Sequence, residues 1–159
     1  MRIIDTHCHA GRNWFEPIET LVHEMDTNRV DEAVLIQHGG TYNNDYLFEC
    51  ASKYGTKFKV VVMLDPDDGD QPGTLTKLAE QGAAGVRIYP DQRSRTGDPL
   101  ATWKKAGELG LVPCGGSDYH ASGNPGEPEP GTVGPPMDTV GALDSLRRDR
   151  GEEVGRLPR

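Results

Sequence analysis

The chain has 159 residues, of which 35% are hydrophobic, and its formal net charge is -8. A chain of this length buries about two thirds of its extended surface on folding, which is enough for the core of one ordinary domain. The acidic balance argues against nucleic acid as a partner, and the lack of any apolar run near the ~20 residues of a membrane span argues against insertion into a bilayer.

The start of the chain and the cysteines predict a cytoplasmic protein with free thiols. Met1 is followed by RIIDTH, which lacks the basic, apolar and small-residue regions of a secretion signal. The cysteines Cys8, Cys50 and Cys114 are odd in number and form no CxxC pair. The sequence therefore suggests neither a disulfide framework nor a zinc knuckle.

Short apolar stretches, most of them rich in β-branched residues, are typical of buried strands. They span residues 2–5, 33–37, 58–64, 84–89 and 109–113. Segments of helical period lie between them, at residues 17–29, 43–54, 72–81 and 99–108. Because strands and helices alternate, the pattern predicts parallel βαβ units with right-handed crossovers. The predicted fold class is α/β, as either a (β/α) barrel or an open doubly wound sheet.

The composition changes after residue 120. Residues 121–136 contain nine Gly or Pro residues and no aliphatic periodicity, which predicts a loop. A last helix is expected over residues 136–149, and residues 150–159 are typical of a frayed tail. The predicted organisation is one domain over residues 1–149 followed by this tail.

The sequence DTHCHA carries the first group of candidate metal ligands. His7 and His9 flank Cys8, and in an extended segment residues i and i+2 point to the same side. Both imidazoles are therefore expected to reach one cation at the end of the first strand, where parallel α/β folds carry their active sites. Asp5 is predicted to fix the tautomer of a histidine. The alternative is two histidines that flank a cysteine on a half-buried strand end without a ligand.

The sequence CGGSDYH repeats this arrangement with Asp118 and His120, again two residues apart and just after an apolar stretch. A carboxylate oxygen and an imidazole nitrogen are good ligands for zinc, manganese or iron. The alternative is that Ser117 and Asp118 cap a turn, which is a common role for both residue types.

Four sequence pieces, in this order, resemble the first half of the amidohydrolase-related family of metal-dependent hydrolases, which have a TIM barrel. The pieces are IDTHCHAG, YNNDYLFECASKYGTKFKVVVMLDP, GAAGVRIYP and WKKAGELGL, and the resemblance covers about residues 1–112. It implies that His7 and His9 bind the metal. It also implies that His38 and Arg87, at the ends of later strands, face a small-molecule substrate.

The residues themselves give a weaker indication for these two positions. His38 ends VLIQHGG at a predicted strand terminus, where a substrate contact and an exposed loop histidine are both typical. Arg87 offers a bidentate fork for a substrate carboxylate, although a structural ion pair is an equal alternative. Trp14 and Trp103 are predicted to be core or packing residues.

Residues 114–146 are similar to the closing segment of a different family, the polymerase and histidinol phosphatase (PHP) family. In that family an Asp and a His in the same D-x-H arrangement are both metal ligands, which implies this role for Asp118 and His120. The amidohydrolase-related family also ends with a GSDY-like segment, whose Asp takes a proton from the water at the metal. Asp118 fits both patterns.

The chain is short for a complete barrel, which has eight strands and ~200 residues or more. The sequence therefore predicts an incomplete TIM-type (β/α) barrel of about five parallel strands with outer helices. In an open sheet in chain order, four strand spacings would separate His7 from Asp118, or roughly 19 Å. A strongly curled sheet, or two chains that complete one another as a homo-oligomer, would bring the two motifs together.

The leading hypothesis is a metal-dependent hydrolase that activates water to attack an amide, ester or lactone carbonyl, with zinc as the expected metal and manganese or iron as alternatives. Asp118 would accept the proton of the water, and His120 would bind the metal or stabilise the oxyanion. A related decarboxylase, a phosphoesterase of the PHP kind, and a truncated remnant that serves as a binding module are the alternatives.

Overall fold

The computed structural model of the chain describes residues 2–89, 92–115, 134 and 136–149. The chain forms two compact units, Met1–Leu109 and Gly110–Arg159. The first unit contains a sheet with its helices, and the described part of the second contains one helix. Asp118 and His120 lie outside the described residues, and so does most of the predicted loop over 121–136. The single domain predicted over residues 1–149 stays a prediction.

The described part of the first unit contains four strands that form one parallel sheet. They are β1 (Ile4–Cys8), β2 (Glu32–Ile36), β3 (Phe58–Met63) and β4 (Gly85–Arg87). The order across the sheet is β1-β2-β3-β4, the same as along the chain. A doubly wound sheet reverses its order at a switch point, whereas the wall of a (β/α) barrel follows the chain order. The α/β class is therefore confirmed, in its barrel-type form.

Helices follow the strands as the sequence predicts. In the first unit they are α1 (Ile18–Asn28), α2 (Asp45–Tyr54), α3 (Gln71–Glu80) and α4 (Ala101–Glu108), and in the second α5 (Thr139–Asp149). All five predicted helices are confirmed, with bounds that differ by three residues or fewer. None of the helices in the described ranges is long and apolar enough to cross a membrane.

The first helix, α1, illustrates how the local sequence determines where a helix begins and ends. Apolar residues at positions 18, 21, 22 and 25 recur at the spacing of one helical face, and Ile18 and Met25 at its two ends are buried. Pro17 immediately precedes the first turn, where a missing N–H costs nothing. The helix ends because Arg29 adopts a left-handed conformation with φ 58°.

The core lies between the two central strands and the helices. Alternate residues of these strands, among them Leu35 and Val62, are fully buried and pack in one cluster with Leu47 of α2 and Leu75 of α3. Burial of each such side chain contributes about 1.5–3 kcal/mol to folding. The opposite face of the same strands, represented by Val34, is only half-buried.

The first strand differs from its prediction. The sequence places a buried strand at residues 2–5, but β1 covers Ile4–Cys8 and four of its five residues are exposed, Ile4 to 48%. Within the described residues β1 pairs with β2 alone, so it forms an edge of the sheet. The register shifts between Asp5 and Cys8, which is the mark of a β-bulge, and bulges are frequent at sheet edges.

The prediction of a fifth strand at residues 109–113 is wrong. Helix α4 ends at Glu108, Leu109 is its C-cap and Gly110 follows with φ 71°, a left-handed conformation that glycine adopts without strain. Residues 111–115 then continue without a strand. The apolar residues that suggested a strand belong in part to this helix end.

Asn44 joins the loop after β2 to the end of β3. Its side chain is buried at 5% exposure, its Oδ1 accepts the Met63 N–H at 3.1 Å, and its Nδ2 donates to the Met63 carbonyl at 3.0 Å. A second bond from Nδ2 reaches the Tyr42 carbonyl at 3.0 Å. One amide therefore satisfies the main chain at the strand terminus, where the ladder ends.

A directed chain of buried hydrogen bonds connects α3 with α4. The Ser94 hydroxyl donates to Thr102 Oγ1 at 2.6 Å, Thr102 donates to Gln71 Oε1 at 2.9 Å, and Gln71 Nε2 donates to the Asp65 carbonyl at 2.7 Å. Gln71 is completely buried and Thr102 is 2% exposed. Each buried polar atom in this series of hydrogen bonds has a partner, which offsets its loss of hydration.

Candidate metal centre

The two histidines of the DTHCHA motif point to the same side of β1. Cys8 is buried beside its register partner Leu35, so the residues on either side of it point to the opposite face. The Nε2 atoms of His7 and His9 lie 3.3 Å apart, and the ring centroids are separated by 5.1 Å. The convergence expected from the i, i+2 spacing is present.

The His9 ring is held in one tautomer. Its Nδ1–H donates to the Ile36 carbonyl at 2.8 Å, because a carbonyl oxygen can only accept, and its Nε2 therefore carries a lone pair. Burial is the main cause that lowers the pKa of His9 below its ordinary value. The bond to Ile36 opposes this shift, whereas nearby positive groups reinforce it. The neutral form, which is the ligand form of an imidazole, is favoured.

Asp5 contacts the main chain of His7, and its predicted role toward a histidine ring stays a prediction. Its Oδ1 accepts the main-chain N–H of His7 at 3.0 Å, and the acceptor that orients the His9 ring is the Ile36 carbonyl. The register of β1 shifts between Asp5 and Cys8, and the Asp5 side chain forms a hydrogen bond with the Cys8 thiol. Burial, together with the hydrogen bond and the charge of this carboxylate, raises the pKa of the Cys8 thiol to about 12.

His38 lies beside this pair. It follows β2 by two residues, and its main-chain N–H donates to the Gln37 side chain at 3.0 Å. Its ring centroid is 5.1 Å from that of Phe15, which in turn stacks on His9 at 4.6 Å with the planes at 24°. The structure therefore gathers residues from the loops after β1 and β2 in one place.

Arg87 is the last residue of β4, and its positive charge acts on His9. Its guanidinium lies 5.2 Å from the centroid of the Tyr89 ring. A Cβ placed on Gly39 would come within 3.0 Å of the Tyr89 hydroxyl, so Tyr89 also borders the loop that holds His38. Sequence reasoning missed Tyr89, although its i, i+2 spacing from Arg87 was the available signal.

Trp14 is not a core residue. The side chain is 75% exposed, and its ring stacks on Phe15 at 5.3 Å and meets His38 edge to face at 5.3 Å. Trp103 is 37% exposed on α4. The core position predicted for Trp14 is therefore wrong, although its ring packs against two neighbours, and the residue stands at the candidate site.

The separation of the two nitrogens fits a metal ion. Two ligands that each lie ~2.05 Å from a tetrahedral ion are about 3.3 Å apart, which is the separation observed between His7 and His9. Over the ranges that the structure describes, no group of three or more His, Cys, Asp or Glu side chains could hold a metal. The donor set described so far is thus a pair of imidazoles, and the further ligands predicted at Asp118 and His120 lie outside these ranges.

Sequence comparisons return nothing: no protein-family model matches the chain, and no curated protein matches it. Solved structures do match. A protein from Pseudomonas putida that bears the provisional name 2-pyrone-4,6-dicarboxylic acid hydrolase has a TM-score of 0.55 and 21% identity, over 69% of this chain and 46% of its own. An Agrobacterium tumefaciens protein has a TM-score of 0.52 and 17% identity, over 70% of this chain and 46% of its own.

A third structure, from Acinetobacter baumannii with citric acid bound, carries the same provisional hydrolase name. Its TM-score is 0.45 at 22% identity, over 55% of this chain and 38% of its own. This chain therefore spans less than half the length of each of the three proteins. The neighbours are TIM-barrel proteins, and the described sheet corresponds to an incomplete barrel. The resemblance of residues 114–146 to the PHP family stays a prediction. At this level of identity the likeness shows that the chain shares the fold of part of such a barrel.

Proposed function

We propose that the chain is a metal-dependent hydrolase of the amidohydrolase-related kind, which cleaves an amide, ester or lactone, with a related decarboxylase as the alternative chemistry. The observation that carries this proposal is the pair of Nε2 atoms of His7 and His9, 3.3 Å apart where β1 ends. The orientation of His9 by the Ile36 carbonyl adds support, since ligand histidines are commonly fixed in this way. Location in the cytoplasm belongs to the same proposal.

Zinc is the proposed metal, with manganese and iron as alternatives. His7 and His9 would hold it through Nε2, and Asp118 and His120 would complete the set. Imidazole and carboxylate ligands in a tetrahedral arrangement favour zinc. When bound, the ion supplies Lewis acidity that makes water a nucleophile near neutral pH.

The other residues of the site would act on the proton and the substrate. Asp118 would accept the proton of the attacking water, and His120 would bind the metal or donate to the developing oxyanion. Arg87 would hold a substrate carboxylate through its planar fork. His38 would contact the substrate from the loop after β2.

Bound metal provides the first test. The purified full chain is loaded with zinc, dialysed, and its metal content measured beside that of His7→Ala and His9→Ala variants. We expect both variants to lose the metal. His23→Ala is the matched control, because His23 is exposed on α1, and it should keep the metal. Equal metal content in all four proteins would show that the pair is an imidazole hydrogen bond with no ligand role.

Turnover is tested separately. The names of two structural neighbours contain 2-pyrone-4,6-dicarboxylic acid, a lactone with two carboxylates, and this compound is a suitable first substrate. We expect zinc-dependent loss of its ring absorbance, which Asp118→Asn abolishes because it removes both a ligand of the proposed metal and the group that accepts the proton. Metal binding with no turnover of this or other lactone, ester and amide substrates would leave a metal site but refute the hydrolase.

The exposed edge of the sheet favours a second candidate, an assembly module. Ile3, just before β1, is 39% exposed and Ile4, its first residue, is 48% exposed, and an open strand edge favours association with another chain. A homo-oligomer in which two chains complete one another is the proposed form. Sedimentation at several concentrations tests it: Ile4→Lys should shift an oligomer to monomer, and a monomeric wild-type chain would refute it.

A further inference from the structure

Tyr46 of α2 contacts the segment between β1 and α1 near both of its ends. We call this segment, residues 9–17, the β1–α1 loop. The Tyr46 hydroxyl accepts the main-chain N–H of Ile18, the first residue of α1, at 3.0 Å. Because Pro17 at the N-cap provides no side-chain hydrogen bond, the hydroxyl satisfies a donor that the helix start leaves open. At the other end, the Arg12 guanidinium lies over the Tyr46 ring, 4.7 Å from its centroid.

The Tyr46 side chain is itself held in place. It is half-buried and packs against the hydrophobic core, and its hydroxyl forms a hydrogen bond with the buried Cys50 thiol one turn further along α2. Arg12 also pairs with Glu49 of the same helix, but both partners are exposed, and exposed ion pairs contribute little to stability. The phenol ring is therefore the firmer attachment point for the loop.

The β1–α1 loop carries Phe15 between these two contacts. The Gly11 N–H donates to the Glu16 carbonyl at 3.1 Å and closes a turn around Phe15. The turn is tight, since a Cβ placed on Gly11 would lie 3.5 Å from the main-chain nitrogen of Phe15. The Phe15 ring stacks on His9 with the centroids 4.6 Å apart. A displacement of the turn would therefore move the ring that lies against this imidazole.

We propose that Tyr46 is a positioning residue for His9, which acts through the β1–α1 loop by keeping Phe15 on the imidazole. Its importance for a bound metal rests on the proposed function. The placement of the His9 ring does not, because it is a property of the metal-free protein.

The test follows the His9 ring by NMR in the metal-free full chain. Protons over the face of an aromatic ring resonate upfield, so the His9 ring protons report the stacking on Phe15. Spectra are recorded at about pH 8, where His9 with its lowered pKa is neutral, and His9→Gln identifies its signals among the five histidines. We expect Tyr46→Leu to move these signals downfield, in the direction of the shift that Phe15→Leu produces by removing the ring altogether.

Tyr54→Leu is the matched control. Tyr54 is also half-buried on α2, and the Lys53 ammonium lies 5.2 Å from its ring centroid. Its ring meets Phe58 of β3 edge to face. The substitution thus removes contacts of the same kind away from the β1–α1 loop, and it should leave the His9 signals where they are.

Two milder variants separate the contacts of Tyr46. Tyr46→Phe keeps the ring but removes the acceptor of the Ile18 N–H, and Arg12→Gln removes the cation but keeps that acceptor. Each should give a smaller shift than Tyr46→Leu, and they decide the matter if Tyr46→Leu does not fold. The proposal is overturned if none of these variants moves the His9 signals, or if Tyr54→Leu moves them as far.

Competition with a chelator for zinc distinguishes this inference from the proposed function. Tyr46→Leu should weaken zinc binding by up to about 10-fold, the low end of the range for groups that orient a ligand histidine, and Tyr54→Leu should not. A wild-type chain that binds no zinc would refute the proposed function, while the NMR comparison would still decide the role of Tyr46. Zinc binding without any NMR shift in the Tyr46 variants would overturn that role and leave the metal centre intact.

Discussion

The Phe15 ring stacks on the His9 imidazole, with the centroids 4.6 Å apart and the planes at 24°. With the hydrogen bond to Ile36, this contact fixes both the tilt and the rotation of the ring. Removal of groups that orient a metal-binding histidine typically weakens metal affinity by 10–100-fold. We therefore expect Phe15→Ala to weaken zinc binding about 10-fold, measured by competition with a chelator. Phe15→Leu should restore part of the affinity, and Phe48→Ala on α2 is the control, which should change stability without this loss.

Loss of the Thr102 hydroxyl should destabilise the fold. Thr102→Val keeps the shape of the side chain but leaves Gln71 Oε1 without its donor and Ser94 without its acceptor. A buried polar group left unpaired costs about 1–3 kcal/mol, so the free energy of unfolding in urea should fall by this amount. Thr27→Val is the matched control, because that hydroxyl is exposed and bonds within its own helix. A similar change in the free energy of unfolding of both variants would contradict the role assigned to the buried hydrogen bonds of Thr102.

The Asn44→Asp variant tests how much the hydrogen bonds of Asn44, between the loop after β2 and the end of β3, contribute to stability. Asn44→Asp retains the acceptor for the Met63 N–H but replaces two donated bonds with repulsion from the Tyr42 and Met63 carbonyls. We expect a loss of at least about 2 kcal/mol at pH 7. The introduced carboxyl should have a raised pKa, so the loss should diminish as the pH falls and the group becomes a neutral donor. Asn43→Asp, at an exposed neighbour whose Oδ1 accepts the Asp45 N–H, should be nearly neutral.

The native Asp68 carboxylate, in the turn before α3, should stabilise the fold at high pH, whereas a carboxylate introduced at position 44 should destabilise it. The Thr74 hydroxyl at 2.6 Å, followed by the Asp70 N–H at 2.8 Å, lowers the pKa of Asp68 from its ordinary value of 3.8. A carboxylate with a lowered folded-state pKa contributes stability above its unfolded pKa and loses it as the pH falls through the folded value. The difference in melting temperature between wild type and Asp68→Asn should therefore be largest above about pH 4 and shrink below it. A difference that is independent of pH would exclude this carboxylate as the cause, and Asp67→Asn is the control in the same turn.

Local sequence patterns predicted the helices and strands, whereas the differences between prediction and structure come from tertiary context. The period of α1 and the β-branched residues of β3 carry their own signals, which is why both elements agree with the sequence. The exposure of β1 follows from its place at an edge of the sheet, which no local pattern encodes. The stretch after Glu108 looked like a strand because its residues are apolar, but a helix cap and a left-handed Gly110 determine its backbone.

The candidate site was predictable to a similar extent. The i, i+2 spacing was sufficient to place His7 and His9 together, because it depends only on the geometry of one strand. The carbonyl of Ile36 as partner of His9, and the hydroxyl of Tyr89 beside Gly39, depend on contacts between separate strands and loops. Trp14 was misassigned for the same reason, since burial of an aromatic side chain depends on what surrounds it.

The contrast among the three cysteines makes the chain suitable for site-specific labelling. Cys8 and Cys50 are buried with raised pKa values, so they present little thiolate to an alkylating reagent, whereas Cys114 is exposed. A maleimide spin label should therefore attach at Cys114 in the unmodified protein, four residues before Asp118 in the sequence. With a paramagnetic ion at the histidine pair, the dipolar coupling to this label would give the distance between the two halves of the proposed metal site.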